Sequence, residues 1–301
     1  MKVLITGATG LIGQHLVSLL IDKGHSVNYL TTAKNKITSQ PNYIGFYWNP
    51  SKGVIDTSCL INVDVIIHLA GASIAKRWTA SYKKEIIESR VQSAQLLFTT
   101  LQNNPHQVIQ IISASGTAIY PESFTTSYDE TTTESDTGFL GNIVKQWEES
   151  TLKFNQLNIK VCILRTGMVL AKNGGAIQEM IKPIQFGLGA NMGNGKQIQS
   201  WIHIQDVVNI YYFAIQNQLD GIFNAVAPHP VSYAELTKTI AKTINKPLFL
   251  PNIPHFLMKL ILGEMATLLF SSKNVSAKKL MQFGFQFRFP TIKEAIQEIC
   301  K

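Results

Sequence analysis

Apolar and polar positions along this chain follow two rhythms. Short apolar, β-branched runs at Lys2–Thr6, Ser26–Leu30, Tyr43–Trp48, Val63–Leu69, Val108–Ser113, Lys160–Arg165 and Gly221–Ala225 read as strands. Between them lie longer segments with a broad apolar face: 14–23, 80–102, 138–155, 176–186 and a helix that Asp206 would cap, ending at Gln216. Val63–Leu69 is apolar almost without interruption, as expected of a parallel strand covered on both faces. Strands alternating with helices predict an α/β fold with a parallel sheet. After Pro228 the pattern changes to short helices. Residues 1–228 are therefore expected to hold the sheet, with 170–200 contributing to a substrate cleft. Residues 229–301 are expected to form a small C-terminal domain. Ile253–Phe270 is apolar, but His255, Lys259, Gly263 and Glu264 interrupt it. A spanning helix needs about 20 nearly unbroken apolar residues, so two short packed helices are expected and no membrane span.

The first thirty residues carry the most informative local pattern. Strand, Gly7-Ala8-Thr9-Gly10-Leu11-Ile12-Gly13, helix and strand form a βαβ unit. In such a turn one glycine permits the tight path, one admits a pyrophosphate and one lets the helix pack on the strand. The pyrophosphate rests on free N–H groups at the helix N-terminus. Gly7, Thr9, Gly10, Leu11, Ile12 and Gly13 are thus candidate cofactor contacts. A site selective for NAD places an acid about 20 residues beyond the turn. Here the second strand runs into Thr31-Thr32-Ala33-Lys34, without an acid. Thr32 and Lys34 suit a 2′-phosphate, so NADP(H) is expected in preference to NAD(H).

Composition narrows the picture. The 301 residues are 45% apolar, ample for a folded core. Cys59, Cys162 and Cys300 are far apart and form no metal or redox motif; no metal site is expected. With no disulfide pattern and a first strand that begins at once, a cytoplasmic protein is expected. The net charge of +8 is scattered, its densest points being pairs such as Lys76-Arg77 and Lys278-Lys279. Without interleaved aromatics, this does not predict nucleic-acid binding. A small-molecule ligand and a monomer or homodimer are expected instead.

Ligands of parallel sheets bind outside the carboxyl ends of the strands. His68-Leu69-Ala70-Gly71 ends one strand, and its small residues would let a cofactor lie close to the backbone. Ser113-Ala114-Ser115-Gly116-Thr117 ends the next, with Tyr120 close behind. Trp78 follows in a loop, Phe186 and Trp201 offer flat faces, and His203 stands near Asp206. These four are the candidate substrate contacts. Asp206 itself is expected to be a helix cap.

Taken in order, 6–13, 68–71, 113–115, Arg165-Thr166-Gly167 and Trp201-Ile202-His203-Ile204-Gln205-Asp206 resemble the landmarks of extended short-chain dehydrogenase/reductases. Trp48-Asn49-Pro50, Ile74–Trp78, Glu88-Ser89-Arg90, Lys145-Gln146-Trp147-Glu148 and the tail from Leu262 to Phe287 resemble one branch, the epimerase-family proteins related to bacterial YfcH. The resemblance implies a Rossmann-type doubly wound parallel sheet with a small, mostly helical C-terminal substrate region. It also implies cofactor contacts from Ser113, Lys145 and Arg165.

Catalytic members of that superfamily use Tyr-x-x-x-Lys on one helix, with a strand-end Ser. Lys145 matches the Lys and Ser115 the Ser, but Gly141 stands where the Tyr would be. Two readings stay open. One is an NADP(H)-dependent oxidoreductase- or epimerase-like enzyme, with a sugar nucleotide as one candidate substrate, in which Tyr120 supplies the acid/base beside Lys145. The other is an NADPH-binding sensor that catalyses nothing. A nucleic-acid-associated relative is the weakest alternative.

Overall fold

The computed structural model describes residues 1–301. Seven strands form its parallel sheet: β1 (Lys2–Thr6), β2 (Ser26–Thr31), β3 (Tyr43–Asn49), β4 (Val65–His68), β5 (Gln110–Gly116), β6 (Lys160–Thr166) and β7 (Gly221–Ala225). Their spatial order is β7-β6-β5-β4-β1-β2-β3, and every one of these neighbours is parallel. Two short antiparallel pieces, Ser39–Gln40 and Val54–Ile55, pair with β3. The order reverses between β1 and β4, where an α/β sheet opens a crevice at its carboxyl edge.

Alternation along the strands explains the two layers. Val3, Ile5 and Ile112 join one core with Leu16 and Leu20 of α1 (Leu11–Asp22) and Val207 and Tyr211 of α5 (Ile204–Gln216). Leu4, Ile66, Ile111 and Ile163 point the other way, against Leu97 and Phe98 of α2 (Ala80–Asn103) and Phe154 after α3 (Phe139–Leu152). A residue shift of one flips the face, which is why both registers are apolar.

A third core lies beyond the sheet. It joins Ile177, Ile181 and Ile184 of α4 (Ala176–Gln185) and Trp201 to Leu236 and Ile240 of α6 (Tyr233–Thr243) and Ile292, Ile296 and Ile299 near the C-terminus. Residues 168–201 and the tail thus bury one apolar cluster together. Ile253–Phe270 forms two short helices, α7 (His255–Leu262) and α8 (Thr267–Phe270), joined by a 3-10 turn. Two further helices, α9 (Lys278–Gln282) and α10 (Ile292–Ile299), complete the tail. No helix is long and apolar enough to cross a membrane.

Candidate functional site

The glycine turn has a distinct use for each of two glycines. Gly7 is left-handed (φ +74°), and a Cβ there would lie 3.0 Å from the Leu69 carbonyl carbon and oxygen. Gly13 has no room either: its Cβ would sit 2.2 Å from the Gly7 carbonyl oxygen. The first glycine lets the turn press against the end of β4, and the third seats α1 on the turn. Gly10 is the N-cap of α1 and carries no side chain to cap the helix. The first-turn N–H groups therefore face outward, an arrangement suited to an anion. Thr9 and Gly10 are exposed, and Leu11 and Ile12 half-buried.

At the end of β2, Thr31 Oγ1 accepts from Ala33 N and shapes the turn. Lys34 begins a 3-10 turn, with its Nζ 5.0 Å from the centre of the Tyr47 ring. Thr32 and Lys34 are both exposed, and no carboxylate occupies this turn. The glycine cradle fits the pyrophosphate of a dinucleotide, and the turn after β2 is basic and free of carboxylates.

Two polar rows cross the sheet near its carboxyl edge because of strand register. Thr6, His68 and Ser113 are partners on β1, β4 and β5. Thr6 Oγ1 accepts from Leu69 N and Ala70 N, so its single proton goes to His68 Nδ1, 2.8 Å away. His68 Nε2 then carries the ring proton and donates to Ser93 Oγ at 3.2 Å. The ring is fully buried, and burial, with Arg90 nearby, pushes its pKa down to about 4. The expected His68 ligand contact is therefore corrected: this side chain is a neutral brace that orients Thr6, whose hydroxyl holds Leu69 and Ala70 beside the glycine turn. Ser113 is likewise buried, accepting from Thr151 Oγ1 of α3.

The second row is Ser115, Arg165 and Asn224, partners on β5, β6 and β7. Glu148 of α3 accepts from Ser115 Oγ at 2.6 Å and takes both Arg165 Nε and Nη2 at 2.8 Å. Arg165 Nη1 donates to Tyr120 Oη at 2.9 Å, and Tyr120 donates to Asn224 Oδ1 at 2.7 Å. Burial opposes the charge on Arg165, but Glu148 outweighs it and holds the guanidinium protonated. Tyr120 is 1% exposed, with its one proton committed, and burial raises its pKa. Lys145 is exposed on α3 and is not hydrogen-bonded to Tyr120. The expected Tyr120–Lys145 acid/base pair is not formed.

The missing helix tyrosine also has a steric cause. A Cβ at Gly141 would lie 2.1 Å from the Asp136 carbonyl oxygen and 2.8 Å from the Asp136 Cβ. Asp136 in turn accepts from Gly138 N at 2.7 Å and pairs with Lys273 Nζ at 2.6 Å. Lys273 also donates to the Tyr120 carbonyl at 2.6 Å. The loop before α3, tied to the tail through Lys273, fills the place in front of position 141.

Lys273 and Asp136 line a cleft of about 290 Å³ between the sheet edge and the tail. Trp78, Ala118, Phe139 and Leu140 supply its apolar wall, and Glu122, His255, Lys259 and Glu264 its polar rim. Trp78 meets Phe139 edge-on at 5.1 Å between ring centres. The other three substrate candidates lie elsewhere. Trp201 is fully buried in the third core and donates to the His229 carbonyl. His203 is the N-cap of α5, its Nδ1 accepting from Gln205 N, and burial pushes its pKa down to about 4. Phe186, at the end of α4, stands in the solvent, 81% exposed. None of residues 187–196 lines the cleft. Asp206 is not the cap expected of it; its carboxylate accepts from Arg288 N and Phe289 N and ties α5 to the tail. Glu148, Asn224, Asp136 and Lys273 were not singled out from sequence as site residues. For Glu148 the signals were its place in the Lys145–Glu148 run and a charge on the buried face of α3, beside Val144, Trp147 and Thr151.

A family model described as NAD dependent epimerase/dehydratase family matches residues 3–225. The chain belongs to that family. A second, separate match covers residues 253–299, described as a domain of unknown function, DUF1731. The epimerase family protein SA0724 of Staphylococcus aureus is 36% identical over 299 residues, covering 99% of this chain and 98% of that one. Among solved structures, the human epimerase family protein SDR39U1 (isoform 2) with NADPH is 29% identical at a TM-score of 0.85, covering 99% of both chains. A nucleoside-diphosphate sugar epimerase from Corynebacterium glutamicum is 30% identical at a TM-score of 0.78, covering 98% of this chain and 57% of that one. This epimerase-family chain is thus an extended short-chain dehydrogenase/reductase with the branch's C-terminal domain.

Proposed function

We propose that this protein binds NADP(H) at the glycine turn and acts on a small molecule in the Trp78–Lys273 cleft, as an oxidoreductase or epimerase. The observation that carries the cofactor reading is the acid-free end of β2, where Thr32 and Lys34 stand exposed. The NADPH of the human relative supports it. Bound NADP(H) supplies or accepts hydride. The backbone from Gly7 to Gly13 holds the pyrophosphate, Thr32 and Lys34 the 2′-phosphate, and Lys145 the ribose. Ser115 donates to Glu148, so its lone pairs rather than its proton face a ligand. Lys273 is the proton-bearing group best placed in the cleft. It would hold a substrate oxygen, pass it a proton and recover one from solvent. A sugar nucleotide is one candidate substrate, supported by the name of the Corynebacterium relative.

The second reading, a non-catalytic NADPH sensor, draws on the closed space at Gly141 and the committed Tyr120 hydroxyl. Titration with NADPH and NADH, followed by nicotinamide fluorescence, tests the shared cofactor claim. NADPH should bind more tightly. A charged hydrogen bond contributes about 1.5–3 kcal/mol, so Lys34→Glu should weaken NADPH at least about tenfold and leave NADH nearly unchanged. Tighter NADH binding, or none of either, overturns the reading. For catalysis, Lys273→Met should abolish NADPH consumption with a carbonyl panel while cofactor affinity holds. No consumption by the unaltered protein, with a bound partner released by NADPH, favours the sensor.

A further inference from the structure

Helix α7 is amphipathic in an unusual sense: it has no buried residue. His255 and Lys259, four apart, line the cleft. Phe256 and Leu260 are 73% and 79% exposed, and Leu257 and Ile261 are exposed beside them. The apolar surface continues past the helix. Ile253 N donates to the Asn191 carbonyl and Gly193 N to the Ile253 carbonyl, both at 2.8 Å, so the segment before α7 lies along the loop after α4. Leu248 packs at Gly189, where an added Cβ would meet it at 2.6 Å. Phe186, Leu188, Phe249 and Leu250 are exposed on these two segments. A cluster of large apolar residues of this kind marks an interaction surface.

Charge selects the partner. Residues 176–196 and 244–262 carry Lys182, Lys196, Lys246 and Lys259 against a single carboxylate, Glu179. Glu179 is already paired with Lys182 at 2.7 Å, and Glu264, just beyond α7, with Lys83. A second copy docked through this face would bring lysines against lysines, because a two-fold interface apposes a patch with itself. An apolar face on segments of net positive charge instead matches the boundary between acyl chains and anionic headgroups.

We propose that α7 and the adjoining 186–188 and 248–250 segments dock this protein on an anionic lipid surface. Phe256 and Leu260 enter the acyl boundary, and Lys196 and Lys246 meet the headgroups. No helix can span a membrane, so the contact is interfacial and reversible. It leaves His255 and Lys259 on the cleft side, so the cleft opens beside the lipid.

The test is co-sedimentation of the full chain with vesicles of phosphatidylcholine alone and of equimolar phosphatidylcholine and phosphatidylserine. Binding is expected to the phosphatidylserine vesicles and to fall with added salt. The double variant Phe256→Asp, Leu260→Asp should lose at least about tenfold in vesicle affinity, with unchanged far-ultraviolet circular dichroism. Lys246→Gln should lose about fivefold, the equivalent of one lysine at such a surface. The proposal is overturned by absence of binding to phosphatidylserine vesicles, or by equal binding to both compositions. It is also overturned if the double variant binds as before, or if the free protein forms a dimer that the double variant abolishes.

Discussion

Gly141→Ala asks whether the family tyrosine is absent by accident or by construction. Two effects oppose each other. Alanine in a helix is favoured over glycine by about 1 kcal/mol. Gly141 has no left-handed backbone to strain, so only space decides the rest. That space is missing: the new methyl would lie 2.1 Å from a backbone oxygen, that of Asp136, and 2.7 Å from its carbonyl carbon. A backbone cannot swing aside as a side-chain tip does, and Asp136 is held by Gly138 N and Lys273. Overpacking of this kind costs about 1–3 kcal/mol, and the severe contact puts this case in the upper half. The net expectation is a loss of about 1–2 kcal/mol, or, for a chain of 301 residues, a Tm lowered by roughly 1.5–3 °C. Thermal unfolding followed by circular dichroism reads it directly. Gly141→Tyr should be destabilised at least as much and gain no turnover. In a Lys273→Met background the penalty should shrink, because Asp136 is then freer to move. An alanine variant more stable than the parent would refute the argument, since propensity alone would then have decided the sign.

Two further expectations come from the polar rows. Glu148→Gln leaves the buried Arg165 charge without its carboxylate and should cost about 3–5 kcal/mol; a denaturant midpoint unchanged from the parent would show that the pair contributes nothing. His68 is neutral when folded, with a pKa of about 4 against 6.5 unfolded. The unfolded chain therefore binds the extra proton, and stability should be complete above about pH 6.5 and fall towards pH 4. Urea midpoints measured across that window should show a shallower decline in His68→Asn, and an identical slope in both proteins would place the titration elsewhere.

Much of the fold was legible because it rests on local rhythm. The glycine turn between β1 and α1 and the strand at Gly221–Ala225 need only their own residues to be recognised. The sheet edge was harder. β5 was expected to stop at Ser113, but register with β6 carries it to Gly116. Serine and glycine are weak strand formers, and only the pairing with Arg165 and Thr166 keeps them extended. That extension puts Ser115 in a row with Arg165 and Asn224, which no single segment reveals. Trp201 and His203 were read as ligand contacts because aromatic and imidazole groups serve both cores and sites. Their burial depends on Phe289 and Ile292, almost ninety residues later in the chain. Lys273 reaches the cleft only because the tail folds back over the β5 edge.

The third core has a consequence for how the chain is made. Ile177, Ile181 and Ile184 of α4 share their cluster with Leu236 and Ile240 of α6, the helix that packs on both α4 and α10. While the chain leaves the ribosome, the sheet strands through β6 can pair as they emerge, but α4 waits for Leu236 and Ile240 of α6 with part of its inner face bare. Non-local closure of this sort is slow, and exposed apolar faces during the wait invite aggregation. A chain cut near residue 225 would leave α4 permanently in that state. The segment that carries α6 is therefore a completion signal: only a chain made past it can hide the surface that its middle has already exposed.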